Sequence, residues 1–353
     1  MTRPRLLSLA LAALALGACG DDLDRPSELR TLRVLAVRAD APFAAPGSSP
    51  RLTMALVDAA PGALRNGSPR RVQVAWLGGC DNPRDDARGA CGDALRAAAA
   101  RLSDDDLAAE QVPPGAEGVV GFGEEFVAGI REDLIDTHPP VPGAALPYGL
   151  TFVHFAACGG ELRKAPEGEA FPLRCVDPST GDALGAEDFV TGYFPLWAYR
   201  ELRNENPRVE QGKLLPGDPS GASCAGGAPC PAGEGCGAGG RCLREVPRCE
   251  EDGADACPAV VVRPRIDPSS AEPGETASLV GPDAPPENLW VAYFARRGRM
   301  EADARFAHDG DLGWIEHQTA WRAPREPGEV RLWAVVRDNR GGVTWTHEDV
   351  LVR

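Results

Sequence analysis

From residue 30 onward, apolar and polar positions alternate in short runs with a period of two. The first run is Leu32-Arg33-Val34-Leu35-Ala36-Val37, followed by a Pro- and Gly-rich stretch over 41–50. The second places Leu52, Met54 and Leu56 on one face, because successive strand side chains point to opposite sides. Val72-Gln73-Val74-Ala75-Trp76 repeats the alternation. Three short strands separated by turn-rich spacers predict an antiparallel sandwich. The pattern then breaks. Leu95, Ala98 and Leu102 fall at helical spacing, predicting a short helix over 93–102, and Ser103-Asp104-Asp105-Asp106 reads as a capping box that opens another. Strand character returns at 150–156 and 189–199, so the segments 80–148 and 158–186 read as long embellishments of one sandwich.

Residues 212–257 are rich in Gly, Pro and Cys and nearly free of large apolar side chains. Such a segment cannot bury a core alone and needs covalent bonds to hold it. Beyond it, 289–294 and 330–336 read as strands, and Asp338-Asn339-Arg340-Gly341-Gly342 supplies hairpin-turn residues before Val343-Thr344-Trp345. The predicted fold is all-β: two immunoglobulin-like antiparallel β-sandwiches, over 30–210 and 259–353, joined by a disulfide-rich module over 211–258, with a short helical insertion in the first.

The N-terminus follows a different rule. Arg3 and Arg5 precede the apolar run 6–16, the order of a secretion signal. The run is shorter than the roughly 20 residues that a helix needs to cross a membrane, so residues 1–18 read as a cleaved leader. Leu16-Gly17-Ala18-Cys19 resembles the lipobox of bacterial lipoproteins. The resemblance implies a lipid on the Cys19 sulfur, cleavage before it, a tether over 19–29 and a membrane-anchored chain in the cell envelope. No aspartate directly follows Cys19, and by resemblance to enteric sorting this points to the outer membrane.

Charge and cysteine usage sharpen this picture. Losing Arg3 and Arg5 takes 37 basic residues to 35 against 52 acidic ones, a mature charge of −17. A chain so acidic is repelled by nucleic acid, which is excluded as a partner, and by anionic headgroups. Eleven cysteines minus Cys19 leave ten, an even number in an exported chain where disulfides are expected. Proximity suggests Cys80 with Cys91, Cys158 with Cys175, and Cys249 with Cys257. Cys224, Cys230, Cys236 and Cys242 allow three connectivities, of which 224 to 236 and 230 to 242 is the expected one. Zinc competes for that quartet, but close C-x2-C pairs and nearby histidines are missing, so no metal or cofactor is expected.

Candidate chemistry is sparse. His138, His154, His308, His317 and His347 fit no metal-binding spacing, and His154, inside a strand, reads as a hydrogen-bonded wall residue. Nucleophile elbow, phosphate loop and S-x-x-K box are missing, so no catalytic residue is assigned. Glu124-Glu125 and Asp104 to Asp106 read as solvated runs rather than a glycosidase pair. Neither Asp309-Gly310-Asp311 nor Asp104 to Asp106 completes a calcium-loop signature. Trp290, Tyr293, Trp314, Trp321, Trp333 and Trp345 crowd the last domain, which predicts a core built from large rings, with an exposed platform as the alternative.

The opening Leu32 to Arg38, the linker Asn204-Glu205-Asn206-Pro207, the spaced cysteines and the closing Arg331 to Gly342 together resemble a group of uncharacterised myxobacterial lipoproteins with immunoglobulin-like domains. That resemblance covers nearly the whole chain and implies architecture without assigning an activity. The expectation is an envelope lipoprotein with a binding or structural role toward an envelope protein or glycan. The alternative is a hydrolase of envelope or extracellular polymers.

Overall fold

A computed structural model describes residues 25–65, 68–141, 146–250, 257–273 and 286–353. The leader and Cys19 lie outside the described residues. The expected all-β, sandwich-like architecture is what forms.

Strands β1 (Leu32–Ala39), β2 (Arg51–Asp58), β3 (Gln73–Asp81), β4 (Val120–Phe122), β5 (Glu125–Val127), β6 (Gly149–Cys158), β7 (Glu161–Lys164), β8 (Leu173–Val176) and β9 (Phe189–Ala198) build the first part. One sheet has the order β1-β2-β5. Its partner runs β9-β6-β3-β4, with Phe43–Ala44 added in parallel beyond β9. Between them lie Leu32, Val37, Leu52, Met54, Trp76 and Phe155, so the predicted inner face of β2 is the observed one. Helices α1 (Gly92–Ala100) and α2 (Asp104–Ala109) cover the outer face of the larger sheet through Leu95, Ala98, Leu102 and Leu107. Ser103 caps α2 by accepting from Asp106 N while Asp106 reaches back, the reciprocal box that the pattern predicts. With apolar layers on both sides, every residue of β6 is buried.

The second part contains β10 (Glu234–Cys236), β11 (Cys242–Val246), β12 (Ala259–Val262), β13 (Leu289–Ala295), β14 (Arg299–Met300), β15 (Ala304–Asp309), β16 (Gly313–Trp314), β17 (Thr319–Arg322), β18 (Gly328–Asp338) and β19 (Val343–Val352). A seven-stranded sheet, β10-β11-β19-β18-β13-β15-β16, faces a three-stranded one, β12-β17-β14. Leu289, Val291, Tyr293, Trp321, Leu332 and Val350 fill the space between.

Two features go beyond the sequence reading. The cysteine-rich stretch does not stand apart: β11 pairs in parallel with β19, and Leu214, Leu215 and Val246 enter the core of the second sandwich. Glu348 fixes the two leucines by accepting from Leu214 N and Leu215 N.

The sandwiches also meet face to face. Leu29, Leu35, Ala36 and Ala55 pack against Trp333, Val335 and Val343, with Phe294 and Trp345 at the margin. A β-bulge at Leu35 makes this possible. Before it, Leu32 and Val34 face the first core; after it, Val37 and Ala39 do. The extra residue resets the alternation and turns both Leu35 and Ala36 toward the second sandwich. The molecule is thus a stack of four sheets with three apolar layers between them.

Polar groups pin the junction. Arg337 donates to Leu35 O at 2.6 Å, and Asn206 donates to Ala39 O at 2.7 Å while accepting from Val343 N at 2.8 Å. Asn204 donates to Asp338, whose other oxygen accepts from Arg340 N and Gly342 N. The linker and closing motifs, far apart in sequence, therefore close on one another.

Candidate functional site

The edge of the second sandwich is the candidate. Ala304, Arg305 and Phe306 of β15 are all exposed, because the two-residue β16 shields only the far end, pairing with His308 and Asp309. The connecting turn is built by Asp309, whose carboxylate accepts from Asp311 N and Leu312 N, while Gly313 adopts φ +79°. Asp309-Gly310-Asp311 thus forms a side-chain-capped turn.

That turn lifts Leu312 into solvent at 78% exposure, beside Phe306 at 57% and Trp314, Ile315 and Val261 at 36–41%. Five of the eight large apolar side chains exposed among the described residues gather here, which makes the edge a patch rather than scatter. Phe306 lines two shallow depressions of about 490 Å³ each. One is shared with Val261 and Ile315, the other with Trp290, Asn288 and Asn339.

The patch is pre-ordered from beneath. Trp314 meets the His308 ring edge-on at 5.2 Å, and His308 Nδ1 contacts Glu287 O at 2.6 Å. Asn288 accepts from Gly310 N and Asn339 accepts from Asn288 N. Each uses its oxygen for the fold, which leaves an amide donor beside the rings. Fixed rings flanked by amide donors suit a ligand with a flat apolar face and accepting groups at its rim.

The aromatic residues divide. Tyr293 and Trp321 are core, Trp333 and Trp345 belong to the junction, Trp290 is half-buried, and Trp314 is exposed. Two of the six rings, Tyr293 and Trp321, fill the core as expected, and the other four lie at the junction or along the edge.

Other singled-out residues have structural employment. Disulfides join Cys80 to Cys91, Cys158 to Cys175, Cys224 to Cys236, Cys230 to Cys242 and Cys249 to Cys257. The sulfurs of Cys224, Cys230 and Cys242 lie within 4.8 Å of one another. As bridging atoms they have no thiolate to offer a metal. Glu125 pairs with Arg51 across exposed strands, Asp106 caps α2, and Asp104 accepts from Lys164 N. Glu329, Glu348 and Asp349 line a depression of about 370 Å³ between β19 and the cysteine-rich stretch. Each is occupied: Glu329 by Ala238 N, Glu348 by Leu214 N and Leu215 N, and Asp349 by Arg331.

His154 departs from expectation. It makes no hydrogen bond among the described residues, and its Nδ1 is buried without a partner. Its cross-strand neighbours, Leu77 and Tyr193, offer it packing instead. Burial, with Arg88 adding to it, pushes the imidazole down to about 4, so the ring stays neutral.

A constellation invisible in the sequence surrounds Asp86, which accepts from Tyr148 at 2.5 Å and contacts His138 Nε2 at 2.8 Å. Asn82, Asp85 and Asp86 all have positive φ. Burial, reinforced by Asp86, pushes the Tyr148 phenol up to about 12. Both imidazole nitrogens of His138 are engaged, so the trio braces a loop.

No protein-family model matches the chain, and no curated protein does. Among solved structures it is similar to Escherichia coli alpha-2-macroglobulin activated by porcine elastase, at 10% identity and a TM-score of 0.20. The alignment covers 93% of this chain and 22% of that one, so the chain spans about a fifth of that protein's length. At so low a score nothing about fold or function follows.

Proposed function

We propose that this chain is an envelope lipoprotein, made with a leader over 1–18 and anchored by lipid on Cys19, that presents the aromatic edge of its second sandwich to an envelope protein or glycan. The outer membrane is the proposed site. The observation that carries the binding role is exposed Phe306 beside Trp290, Asn288 and Asn339, with Leu312 and Trp314 exposed along the same sheet edge. Large apolar side chains at a rigid edge cost solubility and are kept where something covers them.

The test pairs two variants. Phe306→Ser and Leu312→Ser should leave stability within about 0.5 kcal/mol, since both side chains already face water. Each should weaken capture by isolated sacculi, envelope polysaccharide or envelope proteins about tenfold, as loss of an aromatic or aliphatic anchor does. Unchanged capture by both variants, or release of sugars or peptides by the wild type, would refute the binding role. Lipid on Cys19 is read separately, from mass analysis of the mature N-terminus.

A further inference from the structure

Arginines gather at a depression of about 460 Å³ where the β13–β14 turn meets β17 and the N-terminal segment. Arg30, Arg296, Arg297, Arg299 and Arg322 line it, against two carboxylates, Glu28 and Glu326. Arg30 pairs with Glu28 at 2.7 Å, and Arg296, Arg297 and Arg299 stand together on the turn of a chain whose net charge is −15.

The turn that presents these side chains is tightly held. Gly298 has φ +79°, and a Cβ there would lie 2.4 Å from Arg322 O. The buried Trp321 donates to Arg297 O at 3.1 Å. One guanidinium nitrogen of Arg296 donates to Asp58 O and one of Arg297 to Glu329 O, both neutral carbonyls, which leaves other N–H groups of each fork for a ligand. Arg299 stands directly opposite Arg322 in the β14–β17 register. Like charges facing each other across strands destabilise a sheet.

The N-terminal segment runs into the same corner. Leu29 N donates to Ala295 O and Ala295 N to Ser27 O, at the start of the arginine turn. Arg25 lies six positions after Cys19, a span of at most about 20 Å when extended. A lipid on Cys19 would therefore hold this pocket close to the membrane surface.

We propose that the arginine pocket binds the phosphate of an anionic envelope-lipid headgroup. Guanidinium forks match the paired oxygens of a phosphate. The membrane placement rests on the lipid-anchor reading; oxyanion binding does not.

The experiment uses the full chain carrying Cys19→Ser, which has no sulfur to acylate, and two probes. These are inorganic pyrophosphate, followed by calorimetry, and phosphatidylcholine vesicles with or without phosphatidylglycerol, followed by flotation. Expected are pyrophosphate binding and a preference for anionic vesicles that fades with salt. Arg297→Glu with Arg299→Glu should lower both by about tenfold or more, whereas Arg297→Lys with Arg299→Lys, which keeps the charge but loses the fork, should weaken pyrophosphate binding less than the Glu pair does and keep most of the vesicle preference. Pyrophosphate binding without vesicle preference overturns the lipid source and leaves a small-oxyanion pocket. Binding of neither probe, or equal binding by the Glu variant, overturns the site. An unlipidated Cys19 in the wild type would remove the anchor reading while leaving the oxyanion result standing.

Discussion

Trp333→Ala is expected to cost about 3 to 5 kcal/mol and to split one thermal unfolding transition into two. Trp333 is 7% exposed and lies in the apolar layer shared by the two sandwiches. Its register neighbours are Phe294 on β13 and His347 on β19. Removing the indole opens a cavity between Leu35 and Ala55 on one side and Val335 and Val343 on the other. Each sandwich keeps its own core, so what is lost is the coupling that makes them melt together. Trp321→Ala is the control: the same chemistry, deep in the second core, should lower that sandwich alone. Calorimetry with limited proteolysis separates the two patterns. A single, uniformly lowered transition for Trp333→Ala would show that the shared layer does not couple them.

The second large effect is a pH dependence centred on Glu287. This side chain is fully buried, 3.4 Å from Arg340. Burial, followed by repulsion from Asp338, pushes its carboxyl up to about 8, with Arg340 pulling in the opposite direction. Glu272 and Asp338, in the same cluster, are also raised, burial again being the main cause. A folded carboxyl that holds its proton above its unfolded value stabilises the fold fully below about pH 4.5. That stability declines as pH rises through about 8, by at most roughly 4 to 5 kcal/mol. Denaturant midpoints should therefore fall between pH 5 and pH 8. Glu287→Gln, neutral throughout, should flatten most of that slope. Parallel profiles for variant and wild type would place the dependence elsewhere.

Much of the fold was legible because the long strands read either as alternating or as continuous apolar runs between turn residues. Leu52, Met54 and Leu56 declared their face, and 150–156, 189–199, 289–294 and 330–336 declared strands. What escaped is explained by exposure. Ala304, Arg305 and Phe306 show no alternation because an edge strand meets water on both sides. The strands β10 and β11 carry few apolar residues and are held by disulfides and by pairing with β19. The aromatic edge was half legible: the rings were visible, but which of them a partner sheet would cover was not.

The sequence alone determined the sandwich class, the capping of α2 and the abundance of cysteine, because each depends on contacts between near neighbours or on composition. Only the tertiary structure decided that the two sandwiches share a layer, that Asn204 meets Asp338, and that Arg30 and Arg322 join the Arg296-Arg297-Gly298-Arg299 turn. The physical reason is the bulge at Leu35. One inserted residue reverses which side of β1 is apolar outward, and that reversal has meaning only once a second sheet is there to meet it.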